Sequence, residues 1–300
     1  MNSIMISPTS SSTHLGKVYL VGAGPGAADL ITVRGARLLE QADIVFHDAL
    51  VDPAMLELCP QAIQEPVGKR CGKLSSAQHF INMRLIDAAK KYQVIVRLKG
   101  GDPMMFGRAD EEIQALKHRQ IEVEVVPGIT AALAGAAAIQ QSLTLRGVSR
   151  SVAFVTLAQG SENLANNKDQ QQPIQNPQAD TLVYYMGRKD AANIAKQLMA
   201  NNSQHTSNTP VHILEAVSTK NERHWSSTLG ELANGKANDW FDSSSPALIM
   251  VGEALREKQQ LINQTTVQTT NQNSGLQSSS AKFDDGLQDG LILTDSRRSA

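Results

Sequence analysis

Two glycine-rich segments carry the residues best suited to chemistry. VGAGPGA, at 21–27, closes the apolar run KVYLV, and RLKGGDPMMFGRADEE, at 97–112, closes the run VIV. Glycines at a strand end let backbone amides and carbonyls approach a bound molecule closely, because no Cβ intervenes. Asp102-Pro103 fixes the second turn and leaves a carboxylate at the strand's C-terminal edge, where open α/β sheets bind ligands. Arg108 opens a helix whose first turn holds Asp110, Glu111 and Glu112. Acids in that turn are ordinary complements of the helix dipole. An arginine set just before them is less ordinary, and its guanidinium can clamp a carboxylate in a bidentate fork.

The first loop reads in two ways. Gly22, Gly24 and Ala27 satisfy G-x-G-x-x-A, and Asp48 stands at a strand end where a ribose-binding acid would sit, which points to an NAD- or flavin-dependent oxidoreductase. Such a helix must begin inside the motif and aim its N-terminus at the pyrophosphate. Here Ala27-Ala28-Asp29 intervenes and the cap signals fall at Asp29 or Thr32. A loop that widens after the strand leaves room for a larger molecule.

Strands and helices must alternate to present these loops. Strands are expected at 17–21, 42–48, 94–99 and 121–128, with helices over 30–39 and 111–119; their order implies an α/β layer arrangement. ADIVFHD, at 42–48, is a near-continuous apolar run, as a strand buried on both faces reads. After an Ala-rich helix at 130–139 and the connector LTLRGVSR, a second strand series follows at 151–158, 181–187, 210–217 and 246–252, with apolar helix faces at 194–199 and 228–232. The expected organisation is a flexible N-terminus at 1–14, α/β domains at 15–128 and 129–255, and a disordered tail at 256–300. The tail and an Asn/Gln-rich insertion at 160–178 hold too few apolar residues to offset ordering entropy.

The 300 residues have 41% hydrophobic content but only 4% aromatic, so the cores must be aliphatic. A formal net charge of −1 gives no global field for nucleic acid or an anionic membrane, so an anionic ligand needs a local Arg/Lys cluster. Cys59 and Cys71 form neither a disulfide framework nor a zinc motif, and the seven histidines are scattered, so no metal site is expected. No secretory signal and no run of ~20 apolar residues is present, and the expected location is the cytoplasm.

Eight segments, in order, resemble the uroporphyrinogen-III C-methyltransferase family over about residues 16–255. They are VYLVGAGPG, HDALV, VGKRCG, VRLKGGDP…FGR…EE, VVPGITAALA, LTLRGVSRSVAFVT, YYMG and PALIMVGE. The resemblance implies two α/β domains with S-adenosylmethionine folded in the cleft between them, a fold distinct from the Rossmann methyltransferases. It implies cofactor contacts at Pro25, Gly100, Gly101, Asp102, Met105, Thr130, Ala131, Met186 and the Ala216-Val217 region. Acid–base roles map to Asp48 and Lys69, and substrate handling and proton removal to Arg108 and Glu111. Arg70, Arg146 and Arg150 are candidates to clamp substrate carboxylates, as is Arg97 within a strand. The implied reaction is methylation of uroporphyrinogen III at C2 and C7, through precorrin-1 to precorrin-2, by a homodimer. These residues carry no dehydrogenase–chelatase domain such as some relatives have fused, so methylation alone is expected. A methyltransferase of this fold acting on a later precorrin is the nearest alternative. This chain departs from the family in three places: Leu145 replaces a histidine, Ala109-Asp110 replaces Gly-Gly, and Ala216-Val217 replaces Asn-Gly.

Overall fold

A computed structural model describes residues 15–67, 74–156, 177–201 and 204–257. The 1–14 arm, Lys69, Arg70, Cys71 and nearly all of the insertion and tail lie outside the described residues.

The first sheet contains β1 (Lys17–Gly22), β2 (Ile44–His47), β3 (Ile63–Pro66), β4 (Val94–Lys99) and β5 (Val123–Val126), in the order β3-β2-β4-β1-β5. All its pairings are parallel. Helices α1 (Val33–Gln41), α2 (Pro53–Leu56), α3 (Leu74–Ala89) and α4 (Ala109–Lys117) cover it. Alternate strand residues supply two cores, as a period of two requires. Val21, Val45, Val96 and Leu98 pack with Leu39 of α1 and Met55 of α2. Leu20, Phe46 and Ile95 pack with Leu85 of α3 and Leu116 of α4. The neighbouring strands β1 and β4 thus send their following helices to opposite faces. That makes the gap between them the switch point, and both glycine loops emerge there.

Thr32 caps α1, its Oγ1 accepting the Gly35 amide at 3.1 Å. Residues 28–30 form only a short 3-10 turn, so α1 starts at Val33, well beyond the glycines. A helix N-terminus aimed at a pyrophosphate is absent from this loop, which removes the geometric basis of the dinucleotide reading.

The second sheet contains β6 (Val152–Thr156), β7 (Thr181–Tyr185), β8 (Pro210–Glu215), β9 (Arg223–Thr228) and β10 (Ala247–Gly252), in the order β6-β7-β10-β8-β9. Only β6 and β7 pair in parallel; the other three pairings are antiparallel. Its central strands read as continuous apolar runs because both faces are covered. Leu182, Tyr184, Ile213 and Ile249 pack under α6 (Ala191–Asn201) and α7 (Leu229–Ala233). Val183, Leu214, Leu248 and Met250 pack under α5 (Ala131–Ala138). The described residues through Arg256 form one compact unit that holds both sheets.

Candidate active site

The glycines at the switch point fall into two groups. A Cβ on Gly22 would lie 2.6 Å from the Gly128 backbone, and one on Gly128 would lie 2.3 Å from the Gly101 carbonyl. A Cβ on Gly26 would meet Thr219 at 2.5 Å. The packing of the protein itself demands glycine at these three positions. Gly100 differs: its φ is not positive, and a Cβ there would meet only the Leu50 Cβ, at 3.7 Å. Gly101, at φ +69°, needs glycine for its backbone, yet its Cβ would meet only the Thr130 Cα, at 4.0 Å. Bare backbone therefore faces open space at 100–101, a cradle that a side chain would fill.

The two loops are stitched together there. Gly101 N donates to Gly24 O at 2.7 Å, and Gly24 N donates to Gly101 O at 3.2 Å. Asp102 closes the second loop: Oδ1 accepts the Met104 amide at 2.8 Å and Oδ2 the Gly128 amide at 2.9 Å. Its carboxylate is thereby committed to shaping the turn. Met105, half-buried, continues the same turn, its amide donating to Asp102 O.

Residues of the second sheet border this cradle. Thr130, the N-cap residue of α5, is buried, and its Oγ1 lies 2.6 Å from the Tyr185 hydroxyl, which also accepts the Ala132 amide at 3.1 Å. Burial pushes the Tyr185 phenol above its ordinary pKa, against these two bonds. Its ring stacks at a tilt 5.0 Å from Phe106 of the second glycine loop. Next to it Met186 is exposed and has φ +56°. After β8, the buried Ala216-Val217 step leads to Ser218, whose Oγ accepts the Ala27 amide at 3.1 Å. Pro25 is half-buried on the first glycine loop, and Ala131 is half-buried at the start of α5. The sequence-predicted cofactor residues thus lie on loops that touch one another.

Asp48 follows β2, and its amide donates to Leu98 O. Its carboxylate is a third exposed and accepts a short hydrogen bond from Arg97 Nη2. Arg97 is 2% exposed. Its Nε donates to Glu112 Oε1 at 3.1 Å and its Nη1 to Leu98 O at 3.1 Å. The Arg97 expectation is therefore corrected: its donors are spent on Asp48, Glu112 and main-chain carbonyls inside the core, and it cannot clamp a substrate. Burial opposes its charge, but the Asp48 and Glu112 carboxylates more than offset that, and its pKa is raised. Lys99 Nζ donates to Glu112 Oε2 at 3.0 Å. Burial, then the neighbouring Arg97 charge, lowers the Lys99 pKa.

Arg108 adopts a left-handed conformation, φ 56° and ψ 26°, at the N-cap of α4. Its Nε and Nη2 donate to Glu111 Oε1 and Oε2 at 2.6 and 2.7 Å. The two candidates are brought together as a bidentate pair, so Glu111 orients the guanidinium. Arg146 projects from an exposed turn closed by paired Leu145–Ser149 bonds, and Arg150 is exposed just after it. Sequence reasoning passed over Tyr185, Phe106, Ser218, Lys99 and the network role of Glu112. Two cations two residues apart in an apolar strand, Arg97 and Lys99, were the available signal, because both must share one face and find buried counter-charge.

Among the described residues no helix is long and apolar enough to cross a membrane, and no group of three or more His, Cys, Asp or Glu could hold a metal ion.

The family described as Tetrapyrrole (Corrin/Porphyrin) Methylases matches residues 17–233. A uroporphyrinogen-III C-methyltransferase from Pseudomonas aeruginosa is 42% identical over 245 residues, covering 81% of this chain and 95% of the relative. A siroheme synthase from Stutzerimonas stutzeri is 43% identical, and this chain spans 51% of its length. A crystal structure of uroporphyrin-III C-methyl transferase from Thermus thermophilus, complexed with S-adenyl homocysteine, superposes with a TM-score of 0.65 at 35% identity. That superposition covers 80% of this chain and 99% of the other.

Proposed function

The chain belongs to the tetrapyrrole (corrin/porphyrin) methylase family, and we propose that it methylates uroporphyrinogen III with S-adenosylmethionine, through precorrin-1 to precorrin-2, at C2 and C7. The observation that carries this reading is the open backbone at Gly100-Gly101. Neither sterics nor φ requires glycine at Gly100, whereas a ligand lying against its main chain does. S-adenosylmethionine supplies an already activated methyl group, so no covalent nucleophile is needed. The chain's own residues must align a pyrrole carbon with that methyl and remove a proton afterwards.

In this reading Asp48 receives the proton: it stands in the loop that brings Leu50 beside Gly100, and its carboxylate is partly exposed. Arg108, aimed by Glu111, meets substrate carboxylates. Arg146 and Arg150 meet others further out, and Lys69 and Arg70 complete the anion-binding set. Pro25, Asp102, Met105, Thr130, Ala131, Met186 and Val217 form the rest of the cofactor surround. The backbone does most of this binding, which suits a zwitterionic ligand and a near-neutral chain. We further read the enzyme as a cytoplasmic homodimer.

Incubation with radiolabelled methyl donor and uroporphyrinogen III, with the product weighed by mass spectrometry, tests the assignment. The expected product carries two added methyl groups. Label transfer only to a macrocycle that already carries two or more added methyl groups would move the enzyme to a later precorrin. Thermal stabilisation by NAD but not by S-adenosylhomocysteine would overturn the methyltransferase reading.

A further inference from the structure

Beneath the loops lies a closed set of charges that the reaction as outlined does not use. Arg97, Lys99 and Glu112 have side chains that are 3%, 3% and 0% exposed, and only the fourth member, Asp48, reaches the surface. Every acceptor of Glu112 is engaged. Oε1 takes Arg97 Nε and Gln78 Nε2, at 3.1 and 3.2 Å, and Oε2 takes Lys99 Nζ at 3.0 Å. The Arg97 guanidinium is held at all three nitrogens, by Glu112, by the carbonyls of Leu98 and Phe46, and by Asp48.

We propose that Arg97 and Glu112 are positioning residues for Asp48: Glu112 locks the Arg97 guanidinium within the core, and Arg97 pins one carboxylate oxygen of Asp48 at the edge of the ligand cradle. This rests on the reading of Asp48 as the proton acceptor. Stability alone gives no reason for the network. Desolvating paired ions costs about as much as their attraction returns, and apolar residues of similar size often serve a core equally well. Geometry does give a reason. The network joins three elements that must keep register for catalysis: α4, with Arg108 at its N-cap and Glu111 in its first turn; β4, which leads into the Gly100-Gly101 cradle; and the loop after β2, which carries Asp48. Lys99 extends it beneath the second loop, since its Cε stands 3.2 Å from where a Gly107 Cβ would be. A carboxylate on a loop end has rotamer freedom, and a fixed guanidinium removes it. With one oxygen committed to Arg97, the other is left as the acceptor.

The test is a cycle built on the triple variant Arg97→Met/Lys99→Met/Glu112→Leu, which replaces the buried ions with apolar groups of similar length, and on Asp48→Asn. The triple variant is expected to melt cooperatively and to bind S-adenosylhomocysteine within about 3-fold of the parent, the scatter of an uncoupled site. Its kcat should fall by about 100-fold with little change in KM, as when a catalytic group is displaced by about 1 Å. In the Asp48→Asn background the same three changes should lower kcat by less than about 3-fold, because coupled effects do not add. Should the triple variant aggregate, Arg97→Lys enters the cycle in its place, keeping the charge without the fork that spans two carboxylates. A folded variant with parental kcat, or a full further loss on top of Asp48→Asn, overturns the proposal. If Asp48→Asn alone keeps parental turnover, the assignment of Asp48 fails and the positioning role fails with it. An inactive Asp48→Asn beside an active triple variant sinks the positioning role alone.

Discussion

Replacing Gly100 with alanine separates the demands of a ligand from those of the fold. The added methyl would lie 3.7 Å from the Leu50 Cβ, an ordinary van der Waals contact, and would meet nothing else within 4 Å. The native φ at Gly100 is not positive, so alanine adds no backbone strain. Folding stability should then change by less than about 1 kcal/mol, with lost unfolded-chain entropy acting in favour of the variant. A ligand packed on the bare main chain has no such latitude. Forcing one extra methyl into a filled contact costs roughly 1–3 kcal/mol, which is about 5- to 150-fold in Kd. Gly128→Ala is the matched control. There the methyl would lie 2.3 Å from the Gly101 carbonyl and 2.8 Å from the Gly22 Cα, and backbone has to move on both sides. That substitution should cost about 3 kcal/mol or more in stability, a fall in Tm of roughly 6–12 °C for a chain of this size. Thermal melts and calorimetric titration with S-adenosylhomocysteine read both quantities. The reasoning is refuted if Gly100→Ala binds S-adenosylhomocysteine as tightly as the parent, or if it melts as low as Gly128→Ala.

Arg108 gives a second test: Arg108→Ala removes the guanidinium, and Arg108→Lys keeps the charge but loses the bidentate geometry with Glu111. Steady-state assays should show kcat/KM lower by about 100-fold in both, about 3 kcal/mol of transition-state stabilisation, with S-adenosylhomocysteine affinity little changed; near-parental turnover would make the pair structural. His205, buried with Nε2 3.2 Å from Ala179 O, gives a pH test, since burial lowers its pKa against the pull of that carbonyl. The unfolded chain then binds the proton more readily than the folded one, so stability is lost as pH falls below the unfolded value of about 6.5 and the loss levels off once the lowered folded value is passed. Melts of His205→Gln between pH 5 and 7.5 should show a shallower acid decline than the parent, and an identical decline would place the titration elsewhere.

What could be read from the sequence tracks burial. Strands β1, β2 and β4 announced themselves because both faces are covered, and the central strands of the second sheet did so for the same reason. β3 and β9 did not. Ile63–Pro66 and Arg223–Thr228 lie at sheet edges, with mostly exposed or half-exposed side chains, so neither shows an apolar run. The sixteen-residue α3 also went unread: its sequence, LSSAQHFINMRLIDAA, has no sharply one-sided apolar stripe. The antiparallel pairing of the second sheet was invisible because cover by helices on both faces, not strand direction, makes a run continuously apolar. At the candidate site, residue types singled out the two glycine loops and Arg108 as candidates but could not show that the Arg97 donors are spent inside the core. A charge inside an apolar strand says that a partner exists; only the fold says that the partners are Asp48 and Glu112.

Left-handed backbone conformations gather on the loops of the candidate site. Among the described residues that are not glycine, seven have positive φ. Gln120 and Gln140 close α4 and α5, where a left-handed residue is the ordinary way to end a helix; the amides that follow them reach back to Leu116 and Ala136 at 3.1 and 3.0 Å. The other five are Phe106, Arg108, Met186, Ala216 and Ser218, and all lie on the loops after β4, β7 and β8. Each such residue costs on the order of 1 kcal/mol or more and persists only when its surroundings hold it. The holding contacts are specific. Phe106 leans on Tyr185, Glu111 grips Arg108, Ser218 takes the Ala27 amide, and the Thr219 amide and hydroxyl both donate to Ala216 O. Ala216 is the most telling of these, because alanine has no side-chain polarity to ease a left-handed conformation, as the asparagine expected there from the family would have. The bend at Ala216 is therefore held by its surroundings, by the two bonds from Thr219, and not by the residue's own preference.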